Sequence, residues 1–265
     1  MVGALTYAPR VPGAMPGKGR GYLSPFAQEP DYHHLVADKL GRLAAFILRL
    51  APDCRWSLQV DSGPGCERLY ALAAGVGWQG KNNFIIVPGV GSYVWLGLLV
   101  TDLALPPDTP LASKCGDCDL CLRACPTQAY EGPNAFAHTR CLAYWLTAKT
   151  PLSPEEQGLL NRHRLIYGCD YCQRACPYNP PGEGADEGLD IHGLLALSPG
   201  QFKAYFEGTA ALWRGSAVLR RNLVLAAGKS PDCRELLVQI AREQGLAGAA
   251  AREVLSAWEK GPYTL

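Results

Sequence analysis

The chain reads as an α/β domain, then a small cysteine-rich module, then a helical tail. Three observations predict this. Short apolar strands alternate with amphipathic helices through residues 1–111. Eight of the eleven cysteines fall between Cys115 and Cys176 at a repeated spacing. Residues 193–265 carry helical periodicity with no strand signal. The expected domains are therefore 1–111, 112–182 and 193–265, with a polar, Gly-rich linker over 183–192.

Residues 1–30 are rich in Gly and Pro and are expected to be irregular. Leu35, Leu40, Leu43, Ala44, Ile47 and Leu48 recur at helical spacing and predict a helix over 32–50. Trp56–Val60 reads as a strand and Asp61–Pro64 as a turn. Glu67–Ala74 reads as a helix stopped by Gly75. Phe84–Val87 and Tyr93–Thr101 read as buried strands. In the tail, Leu212, Leu219, Leu223 and Ala226 share a helical face that ends at Gly228. Ser230-Pro231 opens a helix burying Leu236, Leu237 and Ile240. Ala250, Val254, Leu255 and Trp258 mark a last one. Such alternation predicts a small helical-repeat unit, too short to stand without packing on the rest of the chain.

The cysteines carry the chemistry. The first run is Cys115-x2-Cys118-x2-Cys121-x3-Cys125-Pro126. The second, Cys169-x2-Cys172-x3-Cys176-Pro177, lacks a leading cysteine that Cys141 can supply. This is the bacterial two-cluster ferredoxin spacing, in which the last cysteine of each run ligates the other [4Fe–4S] cluster. Cys115, Cys118, Cys121 and Cys176 are assigned to one cluster, and Cys125, Cys141, Cys169 and Cys172 to the other. Structural zinc could use the CxxC pairs but does not need the Cys-Pro exits. A disulfide framework needs an oxidising compartment, and Met1–Pro9 has no secretory pattern. Cys54, Cys66 and Cys233 are left over as buried free thiols.

Net charge is +1, which neither favours nor excludes a nucleic-acid partner. No apolar run reaches membrane-spanning length, so a cytoplasmic protein with no membrane partner is expected. Gly75-Val-Gly77-Trp-Gln-Gly80 matches a dinucleotide fingerprint, but a helix precedes it and a strand follows. That context is inverted; the glycines can let the backbone pass close to a large flat ligand, and on spacing alone a tight helix-to-strand turn is the better reading. Asp61, at a strand exit, is either a helix cap or an acid. Asp31 can cap the helix at Tyr32, and His33 can face a site. Lys203, Arg214, Arg220 and Arg221 form a positive face, either solvated or set for phosphate. Trp213 and Trp258 are expected in the core.

Asp31-Tyr-His33, Val60-Asp-Ser-Gly-Pro64 with Glu67-Arg68, Gly77-Trp-Gln-Gly-Lys-Asn82, Ser92–Asp102, Ala124-Cys-Pro-Thr127, Cys141-x2-Tyr144 and Tyr167-Gly-Cys-Asp-Tyr-Cys-Gln173 occur in an order that resembles the epoxyqueuosine reductases. The resemblance spans nearly the whole chain. It implies base-off cobalamin held by a partial α/β domain beside a ferredoxin-like domain, and a C-terminal HEAT-like unit that grips a tRNA anticodon stem-loop. It makes Asp61 the proton donor and His33 a candidate substrate contact. It places Asp61, Lys81, Ile85, Leu96, Tyr144, Asp170 and Tyr171 at the cobalamin, and Lys203, Arg214, Arg220 and Arg221 at the tRNA. The family usually begins several tens of residues earlier, so the cobalamin domain is expected to be shortened. The chain also departs from the family at Leu98, where a glutamate is usual, at Trp145–Lys149, and at Gly65-Cys66.

The implied reaction reduces epoxyqueuosine to queuosine, with an external electron donor and a monomeric enzyme. Other readings are a two-cluster electron carrier, a corrinoid reductase of a small molecule, and an RNA-binding module with a structural cluster. A carrier needs neither the α/β region nor the basic tail. Small-molecule corrinoid reductases usually carry an export signal.

Overall fold

The computed structural model describes residues 1–7, 16–180 and 187–259. Parts of the irregular segment and linker expected over 1–30 and 183–192, and the last residues of the tail, lie outside these. The chain forms two compact units, which do not follow the three sequence segments. The first comprises 1–9, 30–137 and 170–181, the second 10–29, 138–169 and 182–265.

The first unit is built on an antiparallel three-stranded sheet in the order Val2–Thr6, Val94–Thr101, Trp56–Gln59. The helix Tyr32–Leu50 covers one face through Val36, Leu40 and Ala44. These are spaced by four, so they form a single stripe. Gly97 allows the close approach: a Cβ there would lie 2.6 Å from Val36 Cγ1 and 2.8 Å from Leu40 Cδ1. The same helix leaves Leu43, Phe46 and Leu50 exposed. Val2–Thr6 was expected to be irregular, because Gly and Ala have little strand preference. Its five residues are recruited by full pairing with Leu98 to Val94.

The dinucleotide-like glycines serve a hairpin. Gly75 ends the helix Glu67–Ala73 at φ 61. Trp78–Gln79 then pairs antiparallel with Ile85–Ile86. A Cβ at Gly77 would lie 2.4 Å from the Ile86 carbonyl oxygen, so the turn reading holds and the backbone passes over protein.

In the second unit Arg20–Leu23, also expected to be irregular, lies between Leu165–Tyr167 (parallel) and Leu189–Asp190 (antiparallel). The core is the helix Ser216–Ala227, in which every residue from Val218 to Ala227 is buried. Leu212 belongs to a separate 3-10 turn, Ala210–Leu212, because Gly215 at φ 92 breaks the run. Two capping boxes, Ser153–Glu156 and Ser198–Gln201, start the helices Pro154–His163 and Pro199–Tyr205.

The positive face expected from Arg220 and Arg221 does not exist. Arg220 is 8% exposed and forms a two-pronged pair with Glu243. Arg221 is 3% exposed and donates to the carbonyls of Ala148 (2.8 Å) and Trp145 (3.0 Å) and to Asn222 Oδ1. Burial pulls Arg221 down to about 10, so it stays charged at neutral pH. Asn222 completes the cluster by donating to the carbonyls of Leu146 and Ile166. Arg221→Met should strand buried acceptors at about 1–3 kcal/mol each. We expect a clear drop in the urea midpoint.

Candidate active site

Both parts of the candidate site described here lie in the first unit. The first is a cavity lined by Cys115, Cys118, Cys121 and Cys176 together with Lys81, Asn82, Ile86 and Tyr178. The two cysteine runs build it with the same local device. Each has a four-residue helix, Leu120–Arg123 or Tyr171–Arg174, followed by a Cys-Pro exit. The Cys118 N–H donates to the Cys115 carbonyl, and the Cys176 N–H to the Gln173 carbonyl, which tightens both turns. The returning segment is locked by Asn179, which accepts from the Ser92 N–H, and by Gln173, which donates to the Ser92 carbonyl. A Cβ at Gly91 would lie 2.3 Å from Asn179 Oδ1. Sequence reading missed this network.

Burial, and then the neighbouring Cys176, Cys115 and Cys118, push the Cys121 thiol up to about 11. Cys176 is raised mainly by burial. Burial disfavours the thiolate at Cys121 and Cys176, and a cationic iron–sulfur core would offset that cost. Among the described residues no three His, Cys, Asp or Glu side chains gather as a single-ion site. The cysteines assigned to the second cluster divide between the units, Cys125 and Cys172 in the first, Cys141 and Cys169 in the second. Cys233 is buried as expected, whereas Cys66 is exposed.

The second part is centred on Asp61. It follows the strand Trp56–Gln59, beyond the pair Gln59–Leu98, at the end of the sheet where Val60 approaches Gly97. Its backbone is left-handed, φ 55. Such a conformation is uncommon outside glycine and marks strain in sheet exits and active sites. The Asp61 N–H donates to Glu67 Oε1 at 2.8 Å. Tyr32 Oη donates to Asp61 Oδ2 at 2.9 Å, and His33 Nε2 lies 3.7 Å from the same oxygen. The other ring nitrogen, Nδ1, meets Asp31 Oδ1 at 2.6 Å. Asp31 also caps the helix through the His33 N–H. Burial raises the Asp31 pKa, but the His33 hydrogen bonds and the charges of His33 and His34 outweigh it and leave the carboxyl below the usual range. The Asp61 side chain is 59% exposed, so its position is set by hydrogen bonds more than by packing.

Tyr32 stacks on His33 (4.3 Å) and on Trp95 (5.6 Å), and Trp95 stacks on Tyr7 (4.7 Å). Among the described residues Tyr93 Oη and Trp95 Nε1 are buried without a hydrogen-bond partner. Tyr32 was not singled out by sequence reading. Its place beside His33 on the helix's first turn was the available signal.

The remaining expected positions fall differently. Lys81 Nζ donates to the Gly116 carbonyl at the cysteine cavity. Ile85 and Asp170 are 3% and 4% exposed, which leaves a ligand little surface. Leu96 and Tyr171 are half-buried. In the second unit, Tyr144 is exposed and packs edge-on to His138. Lys203 is exposed. Arg214 donates to the Thr147 carbonyl and lies over the Trp213 ring at 4.9 Å. Trp213, expected in the core, is 61% exposed.

A family model described as "Epoxyqueuosine reductase QueG, DUF1730" matches residues 1–62, and a "4Fe-4S double cluster binding domain" model matches residues 114–179. The epoxyqueuosine reductase of Listeria monocytogenes is 33% identical over 279 residues, covering 95% of this chain and 71% of that protein. The chain belongs to the epoxyqueuosine reductase family. Its members are oxidoreductases, and the cysteine-rich segment is a 4Fe–4S binding domain. A crystal structure of an epoxyqueuosine reductase with an epoxyqueuosine-modified tRNA stem loop superposes with TM-score 0.84 at 29% identity, covering 99% of this chain and 77% of that one. The Bacillus subtilis epoxyqueuosine reductase, in a structure with its catalytic aspartate loop swung out of the active site, superposes with TM-score 0.83 at 28% identity, covering 99% and 77%. No described helix is long and apolar enough to cross a membrane.

Proposed function

We propose that this chain reduces epoxyqueuosine to queuosine in a tRNA anticodon loop, as a cytoplasmic monomer served by two [4Fe–4S] clusters, cobalamin and an external electron donor. The observation that carries the reading is Asp61. It is an accessible acid whose Oδ2 is held by Tyr32 and approached by His33, in the unit that also holds the four-cysteine cavity. The sheet end around Asp61 fits cobalamin. Leu96 and Tyr171 offer half-buried surface. Trp95 Nε1 and Tyr93 Oη are buried polar atoms without partners among the described residues. Of the contacts implied by resemblance, Leu96 and Tyr171 are the stronger, because Ile85 and Asp170 are covered by protein.

Removing an epoxide oxygen takes two electrons and two protons and releases water. Bound cobalamin would supply the electrons at the reacting carbon; the protein's part is binding, orientation and proton delivery. Asp61 gives its proton to the oxygen as negative charge builds there. Tyr32 fixes the carboxyl rotamer. His33, oriented by Asp31, lies on the proton's route back to Asp61 and contacts the substrate. We infer that the residues around Asp61 form the loop that swings in the Bacillus subtilis relative.

Recognition of RNA loops relies on splayed bases stacked on aromatic or guanidinium planes. Trp213 with Arg214 over it is an exposed platform of that kind, with Lys203 as a further cation. Trp213→Ala should weaken binding of an anticodon stem-loop by about tenfold, since a stacked base contributes about 1–3 kcal/mol; fluorescence anisotropy reads it. The overall test is anaerobic reconstitution with iron, sulfide and cobalamin, then mass analysis of nucleosides from epoxyqueuosine-containing stem-loops. Conversion to queuosine supports the reading. Fully loaded protein that leaves the epoxide untouched refutes it.

A further inference from the structure

The loop that carries Asp61 is wrapped around one side chain, Gln59. Gln59 Oε1 accepts the Gly65 N–H at 2.9 Å, and Gln59 Nε2 donates to the Gly65 carbonyl at 2.5 Å. The same nitrogen donates to Glu67 Oε1 at 3.0 Å. That oxygen also accepts the Asp61 N–H. One carboxamide and one carboxylate therefore hold both ends of the loop. The loop passes close to the Gln59 side chain at two glycines. A Cβ at Gly63, φ 154, would lie 2.4 Å from Gln59 Oε1. One at Gly65 would lie 2.9 Å from Leu98 Cδ1 and 3.1 Å from Gln59 Oε1.

Besides these, the Ser62 N–H donates to the Val60 carbonyl at 2.6 Å, and burial adds little. Asp61, Ser62, Gly63 and Pro64 are all exposed, and the Asp61 backbone sits in a conformation that an L residue does not favour. Left-handed backbone at a non-glycine residue persists only where its surroundings over-determine it. Here the surroundings are the Gln59 and Glu67 hydrogen bonds, the Ser62–Val60 backbone bond, and the Tyr32 and His33 side chains at Asp61 Oδ2.

We propose that Gln59 and Glu67 act as a latch, as positioning residues that keep the Asp61 loop closed so that the acid meets the substrate. This rests on the reading of Asp61 as the proton donor. Gln59 is the post and Glu67 the hinge pin. The two glycines are what let the backbone close on the carboxamide.

The test uses the reconstituted full chain. Gln59→Met keeps length and volume but removes both polar ends. Glu67→Ala removes the shared acceptor, whereas Glu67→Gln retains an oxygen able to accept both bonds. Two readouts are taken: amide hydrogen exchange over 61–66, and steady-state kinetics on an epoxyqueuosine stem-loop. Gln59→Met and Glu67→Ala should each speed exchange at the Asp61 and Gly65 amides and lower kcat by about tenfold, the weight of one or two net hydrogen bonds. KM and iron content should not change, and Glu67→Gln should stay within about twofold of the parent on both readouts. Unchanged exchange in Gln59→Met overturns the latch. So does faster exchange with an unchanged kcat while Asp61→Asn is inactive. If Asp61→Asn is itself fully active, the acid reading fails instead, and exchange alone decides whether the loop is latched.

Discussion

Asp61→Asn is expected to lower turnover by about 10²–10⁴-fold, the usual contribution of a general acid, while leaving cluster content, cobalamin uptake and stem-loop affinity intact. The substitution is unusually clean at this position. Asparagine tolerates the left-handed backbone that Asp61 adopts at φ 55. Its amide oxygen can still accept from Tyr32 Oη, and its N–H can still donate to Glu67. What it cannot do is deliver a proton. Tyr32→Phe should cost much less, because it frees the carboxyl rotamer without removing the acid. Single-turnover conversion of a stem-loop, followed by nucleoside mass, reads both. An Asp61→Asn enzyme with parental turnover would remove Asp61 from the chemistry.

The second large effect is expected at Cys176. This cysteine follows Cys121 by more than fifty residues, yet lines the same cavity as Cys115, Cys118 and Cys121. It packs with Cys115 against Trp78 and Ile86. If it completes that cluster, Cys176→Ser should reduce bound iron from about eight to about four per chain, because a cubane needs four thiolates. Epoxide reduction should stop, since the electron route loses one carrier. Cys172→Ser, in the set assigned to the other cluster, should remove iron of the same amount but leave the Cys115 cavity loaded. Iron assay with electron paramagnetic resonance of the reduced protein separates the two. Two intact cluster signals in Cys176→Ser would overturn the assignment.

Much of the candidate site was legible because its signals are local. Cysteine spacing along a few residues encodes the turn that holds a cubane. The Tyr32–Leu50 helix and the Val94–Thr101 strand follow from periodicity. Arg220 and Arg221 were misread for the opposite reason. A cation on a helix reads as surface unless the partners are known, and here they are Glu243 and the carbonyls of residues 145–148. Trp213 was misread in the other direction, since bulk and aromaticity do not say which side of a turn faces water.

The amino-acid sequence by itself carried the iron–sulfur signal, through cysteine types at fixed separations, and the family, through the order of its motifs along the chain; it left Asp61 as either a cap or an acid. Tertiary structure alone decided that Val2–Thr6 and Arg20–Leu23 are strands, that Tyr32 and Glu67 grip Asp61, and that Gln59 fills the loop. Those outcomes depend on which groups meet across the fold, and residues far apart in the chain carry no local signal of the partner they will find.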